Sequence, residues 1–142
     1  SSHEVWGMNL IDVQNKVVQT FDRFWLDCSI EHQNVTIDKE NLTEWVRLTI
    51  QHGQPKPIDF KMNAMRYGTV HLQVFTKSDI GQGRACELAV KAGKMIQQMG
   101  FGTLVFSPYE LIVLGNKATE GLTTTETDWF QVNVMVDFTF ID

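Results

Sequence analysis

The chain has 142 residues, 43% of them apolar and 20% charged, with a net charge of −5 and a pI near 5.3. That length and apolar content suit one folded domain with its own core and exclude disorder for the bulk of it. The acidic balance argues against a nucleic-acid-binding surface as the main business, and no apolar run approaches the ~20 residues of a membrane span.

The opening residues Ser1, Ser2, His3 and Glu4 offer neither the basic nor the apolar region of a secretion signal. From Asn9 to Cys28, the residues Leu10, Val13, Val17, Phe21, Phe24 and Cys28 recur on one face, and Ile11, Val18 and Trp25 widen it. Asp12, Asn15, Lys16, Gln19, Asp22 and Arg23 fill the other side, which predicts an amphipathic helix of about five turns. Phe21, Phe24 and Trp25 are expected to anchor that helix in the core; a partner-binding face is the alternative.

Residues 29–41 read as polar and irregular, with a short strand expected at Val35–Ile37. Leu42 to Ile50 then alternates, with Val46, Leu48 and Ile50 toward the core and Trp45, Arg47 and Thr49 opposite. Gln51 to Met65 reads as a long connection, because Pro55 and Pro57 exclude regular pairing, and Phe60 and Met62 are exposed or docked locally.

The stretch from Tyr67 to Met99 organises the rest. Val70, Leu72 and Val74 share one face and Thr69, His71 and Gln73 the other, the mark of a half-buried strand. A polar turn over Thr76–Gly83 follows. Ala85, Leu88, Ala89, Ala92, Ile96 and Met99 then form one apolar stripe, with Glu87 and Lys91 at the favourable four-residue spacing. Ser78 or Asp79 can cap this helix, and Gly100 or Gly102 can end it.

Thr103–Ser107 and Glu110–Gly115 read as short strands broken at Pro108, and Asn116–Asp128 as a threonine-rich polar stretch. Phe130, Val132, Val134, Val136, Phe138 and Phe140 alternate with Gln131, Asn133, Met135, Asp137 and Thr139, which predicts a long strand at the centre of a sheet. The order predicts an α+β fold: a mixed, mostly antiparallel sheet with two main helices packed on it, one domain over residues 1–142.

Chemistry is sparse. Gly81 and Gly83 precede a helix, but the dinucleotide fingerprint needs glycine where Cys86 stands, and a phosphate loop ending at Gly93 and Lys94 needs glycine where Leu88 stands. A flexible turn is the better reading. His3, His32, His52 and His71 are scattered, and Ser107 is followed by Pro108, unlike a nucleophile elbow. No catalytic constellation, cofactor or metal is expected. Lys77, Arg84, Lys91 and Lys94 form a modest basic cluster, read as a solvated helix face. Asp22, Asp27, Asp38 and Asp137 read as surface carboxylates. Cys28 and Cys86 read as buried thiols, with a disulfide or a nucleophile as the alternative.

The run Tyr67–Thr76, the Gly81–Gly83 turn and the small-residue helix Arg84–Ala92 resemble those of the tail terminator (tail completion) proteins of long-tailed bacteriophages. Trp129–Val134 is similar to that family's final strand and Trp45–Leu48 to its early strand, and the helix up to Trp25 fits in position. Residues 29–41 and 53–66 carry no matching pattern. The resemblance implies a structural virion protein and not an enzyme. Copies would self-associate into a ring, usually of six, that caps the tail tube at its head-proximal end, stops tube polymerisation and offers a surface to the head–tail connector or head completion proteins. Its partners would be itself, the tail tube protein and those joining proteins, with no membrane. DNA would pass through without specific binding. The protein would reside in the virion after assembly in the host cytoplasm. Candidate interface residues are Pro57, Phe60, Met62, Thr123, Thr124 and Thr125, on two polar loops expected to order on assembly. The alternatives are another tail or connector component or, from a different class, a small anion-binding module or enzyme using the Gly81–Gly83 turn.

Overall fold

The computed structural model describes residues 9–33, 35–39, 41–53, 56–57, 64–77, 82–116 and 129–141. Helix α1 (Leu10–Phe24) starts at Asn9, whose side-chain oxygen accepts the Asp12 N–H at 2.8 Å while the Asp12 carboxylate faces the Asn9 N–H at 3.5 Å. This reciprocal cap satisfies donors that a helix start otherwise leaves unpaired. The helix stops short of Cys28, because Trp25 adopts extended backbone while its N–H still reaches the Phe21 carbonyl at 2.8 Å. Val13, Val17 and Phe21 are buried, and Trp25 stacks on Phe21 at 5.2 Å between ring centroids. Phe24, at the flank of the stripe, is 58% exposed, so two of the three expected anchors reach the core.

Strand β1 (Ser29–His32) pairs parallel with β2 (Glu44–His52), setting Ile30 beside Val46 and Glu31 beside Arg47. This corrects the expectation of irregular chain before a strand at Val35–Ile37; Val35 makes only a single bridge to His32. Four residues are too few to display an alternation, and the buried one on the far face is the charged Glu31.

After β2 the pairing continues where a loop was expected. The Gly53 N–H bonds the Tyr67 carbonyl at 2.7 Å, and β3 (Lys56–Pro57) pairs with the start of β4 (Ala64–Lys77), Pro57 opposite Ala64. Proline is tolerated there because, among the described residues, β3 pairs on one side only, so its missing N–H interrupts no second ladder.

β4 runs antiparallel to β2 and, from Lys77 beside Trp129 to Met65 beside Ile141, to β7 (Trp129–Ile141). The far side of β7 is bordered by β5 (Val105–Phe106) and β6 (Glu110–Asn116), so β7 is interior as its pattern predicts. β6 carries a bulge between Val113 and Gly115, where glycine takes the left-handed φ of +77°. The result is the expected α+β domain, with β1–β2 the parallel pair in a mostly antiparallel sheet.

Cross-strand rows define the inner face: Val46–Val74–Val132, Leu48–Leu72–Val134 and Ile50–Val70–Val136. Helix α2 (Gln82–Gln97) shares one core with these rows and with α1 through Ala85, Leu88, Ala89, Ala92 and Ile96. Of the expected caps, Ser78 and Asp79 lie outside the described residues; Gly102, with φ +61°, turns the chain after the helix.

The helix bears small residues because it lies close to its neighbours. A Cβ on Gly93 would come within 2.6 Å of the Tyr109 ring and 2.9 Å of its Cβ. Gly93→Ala gains up to ~1 kcal/mol in helix propensity but must displace the root of that side chain. We expect a net loss of about 1–2 kcal/mol in urea unfolding. A stabilised variant would mean that Tyr109 does not pack over Gly93.

Candidate functional surface

Among the described residues both helices lie on the inner face, and no helix covers the outer one. The outer face presents the rows Arg47–Gln73–Asn133, Thr49–His71–Met135 and Gln51–Thr69–Asp137. Some of its polar groups bond one another: Thr69 donates to Asp137 at 2.6 Å, and the Gln131 amide donates to Asn133 at 2.9 Å.

At the β1 end the face is charged and buried. Glu31 accepts from Lys39 at 2.6 Å, from Arg47 at 2.7 Å and from the Ile37 N–H at 3.1 Å, and Arg47 also reaches the Gln73 oxygen at 3.3 Å. Burial pushes the Glu31 carboxyl upward, but the hydrogen bonds from Lys39, Arg47 and Ile37 outweigh it and hold the group below the ordinary carboxylate range. Lys39 and Arg47 lie over the ring of Trp45, which stacks on Phe75 at 4.0 Å and meets Trp129 edge-on at 6.1 Å. Trp45 is therefore opposite the main core as expected, yet fully buried, in a second aromatic cluster with Phe75 and Trp129.

The basic cluster read from the sequence is dispersed. Arg84 is held by Glu44 at 2.7 Å and by Glu87 at 3.0 Å, and Lys91 by Asp27 at 2.6 Å. Lys77 sits over the Trp129 ring at 4.8 Å. Asp22, read as a plain surface carboxylate, bonds His32 at 2.7 Å. A Cβ on Gly83 would meet nothing, so that glycine answers no close approach among the described residues, and Gly81 lies outside them.

A cavity of about 460 Å³ opens where His52, Gly68 and Phe138 line up across three strands. Gly68 is required there: a Cβ would come within 2.3 Å of the Gln51 carbonyl and 2.6 Å of Phe138. Among the described residues neither buried His52 ring nitrogen has a hydrogen-bond partner, and the ring meets Phe138 edge-on. Burial first, then the charge of Arg66, holds this imidazole below its ordinary value.

The unfolded chain therefore takes up the proton first as pH falls. The contribution of neutral His52 is complete above the ordinary value near 6.5 and is lost progressively below it. In urea unfolding from pH ~7.5 to ~5, the parent should lose more stability than His52→Phe. Parallel curves for the two proteins would remove His52 as the source.

Cys28 and Cys86 are both free and half-buried. Burial pushes the Cys28 thiol up to about 11, which leaves it protonated and a poor nucleophile at neutral pH. No group of three His, Cys, Asp or Glu among the described residues could hold a metal ion, and no helix among them is long and apolar enough to cross a membrane. Of the candidate interface residues, Pro57 lies in β3 at the border of the sheet; Phe60, Met62, Thr123, Thr124 and Thr125 lie outside the described residues, as do most of the two polar loops that carry them. Nothing in the spacing of Glu31, Lys39 and Arg47 along the chain signals the network they form once β1 pairs with β2.

No protein-family model and no curated protein sequence matches this chain.

Proposed function

We propose that this chain is a structural virion protein of a long-tailed bacteriophage: a tail terminator that closes into a ring on the head-proximal end of the tail tube, ends tube growth and offers a surface to the joining proteins. One observation carries the reading. The stretches that bear the resemblance are contiguous in space: Trp45–Leu48 in β2, Tyr67–Thr76 in β4 and Trp129–Val134 in β7 are neighbours in the sheet, and Arg84–Ala92 in α2 packs on them. They form the centre of the fold rather than scattered likenesses.

Surface chemistry supports it. With a net charge of −5 and with Arg84 and Lys91 already paired to carboxylates, the subunit gains little counterion release from DNA. That suits a conduit through which a polyanion passes unheld.

Mass photometry of the purified protein, followed by negative-stain imaging, tests the reading. The expected result is one discrete closed ring, of six copies, that does not lengthen with concentration. Growing tubes would assign the chain to the tube itself, and a monomer under all conditions would contradict a ring-forming role.

A further inference from the structure

We infer that the corner of the sheet where His52, Gly68 and Phe138 meet is an acid-operated latch: protonation of His52 frees the end of β2 from β4 while the rest of the domain stays folded. The inference goes beyond the ring reading and does not depend on it.

The corner is built around a missing side chain. His52 of β2, Gly68 of β4 and Phe138 of β7 are register partners in one row. A Cβ on Gly68 would come within 2.6 Å of the Phe138 ring, so that ring fills the space over the glycine. The His52 imidazole meets it there edge-on, with 6.1 Å between centroids. Rings from the two flanking strands thus close over the middle one, with no β4 side chain in that row between them.

The latch holds only a neutral ring. Neither buried His52 nitrogen has a hydrogen-bond partner among the described residues. A neutral imidazole leaves one donor and one acceptor unmet there, whereas an imidazolium would have to place two donors and a full charge. The nearest titratable groups on the strands packed against it give no relief. Arg66, two residues before Gly68 and on the same face of β4, opposes a second cation. Tyr67 and Asp137 stand on the opposite face, and the Asp137 carboxylate accepts from Thr69 at 2.6 Å.

The same row is the last of its ladder, which makes the opening local. β2 and β4 pair as far as His52 beside Gly68, and the Gly53 N–H then adds one bond to the Tyr67 carbonyl at 2.7 Å. The cavity of about 460 Å³ already reaches this corner, so a short movement brings the ring to water. One row further in, Ile50, Val70 and Val136 are all buried in the main core. Peeling β2 back to Gln51 therefore hydrates the imidazolium at the loss of the end of one ladder, and the core stays closed.

Native-state hydrogen exchange followed by NMR tests the latch at the Gly53 amide, with the Leu72 and Val134 amides reporting on the core. Between pH 7.5 and 5 the Gly53 protection factor, corrected for intrinsic exchange, should fall in the parent by up to about thirtyfold. That limit is set by an ordinary imidazole, near 6.5, in the opened state. Low urea should hardly change exchange at Gly53 but should speed it steeply at Leu72 and Val134, because the slope follows the surface exposed on opening. His52→Phe and His52→Gln cannot take up the proton, and in both the Gly53 protection should stay level across this range; the glutamine variant serves if the phenylalanine one does not fold. Level protection at Gly53 in the parent would overturn the latch. So would an equal fall in a folded variant, which would assign the proton to another group, or a urea slope at Gly53 as steep as at Leu72, which would make the opening global.

Discussion

Replacing Glu31 by alanine is expected to destabilise the fold by about 3–5 kcal/mol. Its carboxylate holds Lys39, whose side chain is 5% exposed, and also holds Arg47. Without it, Lys39 keeps, among the described residues, the Ile37 carbonyl at 3.3 Å and the face of Trp45, a cation buried without a counter-charge there. The attachment of β1 to β2 weakens too, since Glu31 and Arg47 are register partners.

Glu31→Leu combined with Lys39→Met should restore much of the loss, because a buried ion pair and an apolar pair of similar size often differ little in stability. Urea unfolding of the single and double variants measures this. A single variant within about 1 kcal/mol of the parent would mean that the network is not closed as described. The same carboxyl gives acid sensitivity. Its folded value is depressed, so its contribution is present above the ordinary carboxylate value near 4.3 and is lost as pH falls through the folded value.

Leu88→Asp should cost more. Leu88 is 1% exposed in the core that α2 shares with Val132, Val134 and Val136. The substitution gives up about 2–5 kcal/mol of burial and cavity energy, as Leu88→Ala would, and adds a buried carboxylate without a partner. Against a total of about 5–15 kcal/mol for a domain, that is enough to leave much of the protein unfolded at room temperature. Leu88→Ala should remain folded with a lowered urea midpoint. A Leu88→Asp protein that melts like its parent would mean that α2 does not pack on this face.

The parts of the fold that were legible in the sequence are those with long, one-sided patterns. Val70–Val74 and Phe130–Phe140 each face a single core, and their alternation survives because no second element among the described residues competes for the opposite side over most of their length. Where both faces are buried the pattern fails. Trp45 and Phe75 stand on the side that alternation assigns to solvent, but residues that join the strands only in the folded chain cover them. β1 failed for a related reason: its buried Glu31 is acceptable inside only because Lys39 and Arg47 arrive from elsewhere. At β3 the local restriction on proline does not apply, since it falls on strands paired on both sides.

Of the functional surface, less was legible. Lys77, Arg84, Lys91 and Lys94 look like a cluster along the chain, yet two of them pair with acids distant in sequence and a third stands on the other face of the sheet over Trp129. The β6 border was readable only as a short apolar strand, because exposure of Ile112 and Val113 follows from the absence of a described neighbour beyond β6. Assembly surfaces in general show little local signal: they are ordinary strands and grooves whose meaning depends on what remains uncovered after folding.

Tail length in particles assembled without this protein tests the ring-cap function most directly. If the chain terminates the tube, its removal should leave tubes of uncontrolled, mostly excessive length that fail to join heads, and supplying it back should restore one length and the joint. Tails of parental length that still join heads in its absence would contradict the function proposed for it.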